Sequence, residues 1–243
     1  MDLWERLDRP EPEPKAGLSL GRIARAAVEV ADEGGLEAVS MARVAGRLGF
    51  TTMSLYRHVR NKDELLLLML DAVAAVPAEL DEPCAGWRDG LRRWCRAQWE
   101  MLRTHAWIVH VPITGPPATP NQLAWTDRAL AVLGGTGLGE RDKAGVVLLV
   151  ATYMHATARL GADLGPAASA ASIAAHSALL SSRVDAGRLP ALRAAVEAGA
   201  FDYPADLPER ERRFDYEFGL DRILDGVEVL ISGGSPGADR DRR

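Results

Sequence analysis

The chain has 243 residues, 47% of them hydrophobic and 26% charged, which is enough for a packed core in one large or two small domains. No uninterrupted apolar run reaches the roughly 18 residues that span a bilayer, and the N-terminus lacks a basic-then-apolar leader; the expectation is a soluble, cytoplasmic protein with no membrane partner. The two cysteines, Cys84 and Cys95, are too few for a disulfide framework. They read as reduced thiols in helical core positions, with a redox sensor as the alternative.

The net charge of −5 argues against DNA binding until it is resolved along the chain. Residues 15–62 carry eight Lys/Arg against four acids, whereas residues 1–14 are net −3 and residues 63–243 net −6. A basic module joined to an acidic one confines phosphate affinity to one end of the molecule.

In chain order, residues 1–17 alternate Pro10, Pro12 and Pro14 with acids and end in Gly17, an extended arm rather than a packed element, with Leu3, Trp4 and Leu7 available to dock one end. Ser19 is placed to cap a helix whose Leu20, Ile23, Ala24, Ala27, Val28 and Ala31 share a face, and Gly34-Gly35 stops it. Ser40 caps a second helix with Met41, Val44, Ala45 and Leu48 at helical spacing; Gly49 supplies the left-handed turn residue. Thr51 or Thr52 caps a third, in which Leu55 and Val59 face the core and Thr52, Met53, Tyr56, Arg57 and Arg60 point outward. Asn61 opens a fourth that ends near Pro77. From Trp87 the pattern remains helical, with segments near 86–104, 105–111, 121–133, 140–163, 170–184, 190–198 and 207–232 separated by Gly/Pro breakers, and no strand alternation or repeat. Residues 233–243 read as a disordered tail. The fold class is all-α.

Two of the later helices are informative. Leu148–Thr157 is apolar nearly all round, which predicts burial on most sides. The last helix has a stripe of Tyr216, Leu220, Ile223, Val227 and Leu230, widened by Phe214, Phe218, Leu224 and Ile231. So wide a stripe suits a second subunit as well as the protein's own core, with Leu220, Ile223, Val227 and Leu230 as candidate interface; the central helix of a monomeric bundle is the other reading.

Two short helices hinged at Gly49, the second with an exposed polar, aromatic and basic face, are the layout that places a helix in the DNA major groove. The segment Gly21–Lys62, with MARVAGRLGF followed by SLYRHVRNKDELL at Ser54–Leu66, resembles the N-terminal domain of the tetracycline-repressor family of bacterial regulators. FDYEFGLDRILDGVEVLI resembles the C-terminal helix of the tetracycline-repressor branch. The resemblance implies a DNA-binding domain over 18–63, a helical ligand-binding and dimerisation domain over 64–232, and a repressor that leaves a pseudo-palindromic operator when a small effector binds. It points to Thr51, Thr52, Met53 and Ser54 as base-reading residues, Tyr56 and His58 as phosphate and base-edge contacts, Lys62 as a phosphate anchor, and Ser40 and Arg43 as backbone contacts. Packing is the alternative role for Tyr56, and Arg60 can be a solvated charge. Ala42 stands where the tetracycline repressor has a base-reading Arg, so that operator does not transfer.

Five of the six tryptophans fall within 86–163, together with His105, His110 and His155. An aromatic-lined pocket with Trp94, Trp99, His110, Trp125 and Tyr153 is one reading; core packing is the other, for each Trp at least as good. His110 falls roughly where the tetracycline repressor has a histidine that helps hold the drug's magnesium, but Trp94, Gln98 and Ala78 replace other drug contacts, so tetracycline fits poorly. No metal-ligand spacing appears and no cofactor is expected. No GxSxG, phosphate loop, HExxH or CxxC is present, so the chain is not read as an enzyme. The competing non-enzymatic reading is a helical interaction protein with a vestigial helix-turn-helix.

Overall fold

The computed structural model describes residues 3–7, 17–113, 115–164, 170–201 and 214–233. Among these there are eleven α-helices and no strand: α1 Leu3–Leu7, α2 Leu20–Gly34, α3 Met41–Leu48, α4 Thr52–Tyr56, α5 Lys62–Val73, α6 Trp87–Thr104, α7 Pro120–Val132, α8 Glu140–Leu164, α9 Ala170–Arg183, α10 Pro190–Glu197 and α11 Phe214–Ser232. Short 3₁₀ turns at Leu36–Ala38, Ala78–Asp81 and Ala106–His110 fill the joints. The expected tail at 234–243 and the start of the last helical segment at 207–213 lie outside the described residues.

The chain divides into two compact units, Met1–Arg159 with Arg222–Arg243, and Leu160–Asp221. In the first, α2 packs on α3 and α5 through Ile23, Ala24, Ala27, Val30 and Ala31, all buried. α6 and α7 approach closely because residue 90 is glycine; a Cβ there would stand 2.6 Å from Val132 Cγ1. In the second, α9 and α10 pack as a pair, with Val184 buried and Arg193 donating to the Ser181 carbonyl at 3.4 Å.

Four expectations change in the folded chain. The arm is not extended at its start: Leu3–Leu7 forms a helical turn and Arg6 reaches into the structure, because the three prolines come only afterwards. Cys84 is exposed in the loop before α6, where Pro83 and Gly86 forbid a helix; Cys95 is buried on α6, and burial pushes its thiol up to about 12. α8 is not buried on most sides within one chain: Val146, Val147, Val150 and Met154 face inward, while Leu148 is 69% and Leu149 51% exposed. On α11 the buried stripe keeps Tyr216, Leu220 and Val227 of the expected one, with Leu224 in place of Ile223 and Leu230, which are half-buried. α8 is also long and apolar enough to cross a membrane by length and composition, although it opens on Glu140, Arg141, Asp142 and Lys143.

Candidate nucleic-acid interface and effector domain

The DNA-reading module is built from local caps. Ser19 Oγ accepts the Arg22 N–H at 3.2 Å, Ser40 Oγ the Arg43 N–H at 3.2 Å, Thr51 Oγ1 the Ser54 N–H at 3.2 Å and Asn61 Oδ1 the Glu64 N–H at 2.8 Å. Each satisfies an amide that the first helical turn leaves unpaired. Gly49 turns the chain at φ 74°, ψ 26°, the left-handed conformation that glycine adopts without strain. Arg47 then ties α3 to α2, its Nε 2.8 Å from Glu29 Oε2 and its Nη2 2.6 Å from Glu33 Oε1. That hydrogen bond holds the Glu33 carboxyl below the ordinary range.

On α4, Leu55 and the following Val59 are fully buried. The opposite side presents Thr52, Met53 and Tyr56, with Met53 67% and Tyr56 49% exposed. Met53 and Tyr56, one helical turn apart, thus stand side by side in solvent on this face. Ser54 is half-buried, with its hydroxyl 3.0 Å from Thr51 Oγ1, so these two hydroxyls are engaged with the cap and with each other. Ser40, Arg43, Arg57, Arg60 and Lys62 are exposed and His58 is half-buried. Ala42 is exposed on α3 and offers the partner only a methyl group.

Three acids that the sequence did not single out organise the rest. Asp32 sits in the last turn of α2 and Asp71 near the end of α5, where the helix dipole disfavours a carboxylate. Both are satisfied from elsewhere in the chain. Asp32 Oδ1 lies 2.8 Å from His105 Nδ1 and accepts the Trp107 indole N–H at 2.8 Å. Asp71 Oδ1 accepts the Asn121 backbone N–H at 2.9 Å, at the favourable start of α7, and the Asn121 side-chain amide donates to Asp71 Oδ2 at 3.2 Å and to the Asp71 carbonyl at 2.9 Å. Glu64 is the third, held by Arg6 and by the Arg60 N–H. An acid in a last helical turn was the available sequence signal for the first two; nothing local identifies their partners.

The tryptophans extend this junction. Trp94 and Trp125 are buried edge to face, with centroids 5.7 Å apart at 71°. The Trp94 indole donates to the Trp125 carbonyl at 3.0 Å, and the Trp125 indole to the Ala74 carbonyl at 2.8 Å, closing the end of α5. What these two can offer a ligand is ring surface alone. Trp99 and Tyr153 are half-buried and His110 is exposed. Two buried polar atoms, Gln98 Oε1 next to Trp99 and Thr119 Oγ1 before α7, have no partner among the described residues. A concavity lies elsewhere, between α8 and α11, lined by Val146, Leu149, Ile223, Val227 and Leu230 with Arg141, Asp142 and Arg222 at its edge; no tryptophan lines it. Of the four expected interface residues, Leu220 and Val227 are buried within the chain, while Ile223 and Leu230 are half-buried in this cleft. No group of three or more His, Cys, Asp or Glu suited to a metal exists among the described residues.

A helix-turn-helix with an exposed polar and aromatic face, joined by a partly buried polar seam to an aromatic-rich helical domain, is the layout of a transcriptional regulator with its sensor in the same chain. Residues 23–69 match the family model of bacterial regulatory proteins of the tetR family, and residues 80–231 that of the tetracyclin repressor-like C-terminal domain. The chain belongs to the tetracycline-repressor family of ligand-responsive, DNA-binding transcriptional regulators. It is 34% identical to the HTH-type transcriptional repressor DrrR1 of Streptomyces coeruleorubidus, over 95% of this chain and 84% of that one. An HTH-type transcriptional regulator of Saccharopolyspora erythraea is 31% identical over 93% and 89%. Among solved structures, ActR of Streptomyces coelicolor in complex with actinorhodin superposes with a TM-score of 0.74 at 29% identity, covering 92% of this chain and all of that one. These relatives are regulators rather than enzymes, and a vestigial helix-turn-helix is not favoured.

Proposed function

We propose that the protein is a repressor that binds a pseudo-palindromic operator as a homodimer and is released by a small, largely apolar or aromatic effector. Residues 18–63 read DNA and residues 64–232 receive the effector and the second subunit. The observation that carries the first part is the exposed Thr52–Met53–Tyr56 face set against the fully buried Leu55 and Val59. On this reading Thr51, Thr52, Met53 and Ser54 meet base edges, Tyr56 and His58 meet the adjacent backbone, and Lys62 anchors a phosphate at the start of α5, with Ser40 and Arg43 on the flanking strand.

The effector site is assigned to the α6–α7–α8 region, with Trp99, His110 and Tyr153 as contacts and the Trp94–Trp125 pair as its wall. The unmet hydrogen-bonding capacity of Gln98 and Thr119 supports this, as does the actinorhodin held by the similar ActR. The second copy is assigned to the outer face of α8 and α11, where exposed Leu148, Leu149 and Val229 and half-buried Ile223 and Leu230 offer apolar surface that a second subunit would cover.

Fluorescence anisotropy on labelled duplex from the DNA upstream of the protein's own gene tests the reading. Wild type should bind with at least a thousandfold preference over scrambled duplex, in the range of specific regulators. Tyr56→Ala with Lys62→Ala should abolish that preference while circular dichroism stays unchanged. Retained binding by the folded double variant rejects the assignment.

A further inference from the structure

Helix α1 is used neither by the reading face nor by the effector domain, yet it is tied to the turn that follows the reading helix α4. The Arg6 guanidinium lies between two acceptors, one within the bend that joins α4 to α5 and one in the first turn of α5. Its Nη2 donates to the His58 carbonyl and its Nη1 to Glu64 Oε1, partners 52 and 58 residues away in sequence. Glu64 is buried, and Arg6 is the only cation within ion-pair distance of it among the described residues. The other Glu64 oxygen, Oε2, accepts the Arg60 N–H at 2.6 Å, inside the bend itself. Thus the carboxylate holds the bend, and Arg6 holds both the carboxylate and the bend's His58 carbonyl. A buried carboxylate that loses its cation is strongly disfavoured and drags its remaining partners with it.

We propose that Arg6 is a positioning residue for DNA recognition: α1 folds over the α4–α5 bend as a strap and fixes the angle at which Thr52, Met53 and Tyr56 meet the groove and Lys62 meets the backbone. The proposal rests on the DNA-reading assignment above. The Arg6 side chain is only 17% exposed and both its terminal nitrogens already donate within the protein, so it holds the reading helix rather than serving as a phosphate contact. Hydrogen bonds to base edges weaken steeply when distance and angle drift, so a loosened bend degrades all of them together.

The test compares full-length wild type, Arg6→Gln, Glu64→Gln and Arg6→Lys on a duplex that the wild-type protein has enriched from a random library, at several salt concentrations. Arg6→Gln and Glu64→Gln should each weaken binding about tenfold or more, the usual worth of a charge-assisted hydrogen bond. The dependence of log affinity on log salt should keep its wild-type slope, and Arg6→Lys, which still reaches one acceptor, should recover part of the loss. Unchanged affinity overturns the proposal; so does a slope shallower by about 0.9, which would make Arg6 a direct phosphate contact. Amide hydrogen exchange without DNA supplies a second arm. In Arg6→Gln the Val59 and Arg60 amides should exchange roughly tenfold faster while α8 keeps its wild-type rates; unchanged rates at the bend reject the strap, and equal acceleration in α8 marks general unfolding and rejects it as well. If wild type enriches no duplex, the DNA-reading assignment fails by itself, and the exchange arm still decides whether α1 holds the bend.

Discussion

Asn121→Ala cuts the seam between α5 and α7 at one side chain. It removes the hydrogen bond to the Asp71 carboxylate at 3.2 Å and the one to the Asp71 carbonyl at 2.9 Å, and spares the backbone N–H bond at 2.9 Å. A hydrogen bond to a charged acceptor is worth about 1.5–3 kcal/mol and a neutral one about 0.5–1.5 kcal/mol. Asn121 is half-buried, so water replaces part of the lost donor capacity, and the lower end of the sum, about 2 kcal/mol, applies. For a chain of this size that is roughly 4–8 °C in melting temperature. Asp71→Asn in the Asn121→Ala background should cost less than it does alone, by about 1 kcal/mol of coupling. Differential scanning fluorimetry gives the four melting points of the cycle. Because α5 starts at Lys62, at the end of the DNA-binding module, and α7 carries the wall of the effector region, Asn121→Ala should also reduce the ratio of operator affinities without and with effector. A melting point within about 1 °C of wild type, with strictly additive double-variant behaviour, would refute the account of Asp71 as a carboxylate held at the start of α7.

Other consequences follow from single placements. Leu149→Arg puts a charge on the uncovered face of α8 without entering the protein's own core and should give monomers in sedimentation velocity; an intact dimer moves the interface elsewhere. By contrast Val227→Arg should unfold the chain, since Val227 is already buried. His155 has its pKa lowered, first by burial and then by Arg159, so as pH falls the unfolded chain takes up this proton before the folded one. Stability should therefore decline as pH drops below about 6.5, and His155→Gln should flatten that part of the curve; an identical decline in both proteins excludes His155 as its source. A thiol reagent at pH 8 should label exposed Cys84 promptly and buried Cys95 only on unfolding, as mass spectrometry of the two peptides would show.

What the sequence made legible was whatever is decided within a few residues. Ser19, Ser40 and Asn61 cap the helices they precede, and Gly49 turns left-handed, because caps and turns are local chemistry. Leu55 and Val59 are buried and their neighbours exposed because a helix has a fixed period. Arg6, Asn121 and His105, which hold Glu64, Asp71 and Asp32, lie at least 50 residues from them, where no local pattern reaches. Composition flagged the tryptophans, yet could not separate Trp94 and Trp125, with both indole N–H groups committed to backbone carbonyls, from the half-buried Trp99. The apolar circumference of α8 was visible, but a second subunit and an inner core leave the same trace in a sequence.

The central claim is that a reading helix from each of two copies meets DNA. Selection of the full-length protein on a random duplex library, followed by sequencing of the bound fraction, tests it directly. The account predicts enrichment of a pseudo-palindrome whose half-sites lie about one helical turn, or a multiple of it, apart, and loss of that enrichment with Tyr56→Ala and Lys62→Ala. No enrichment, or enrichment of an isolated half-site that the folded double variant selects equally well, would contradict it.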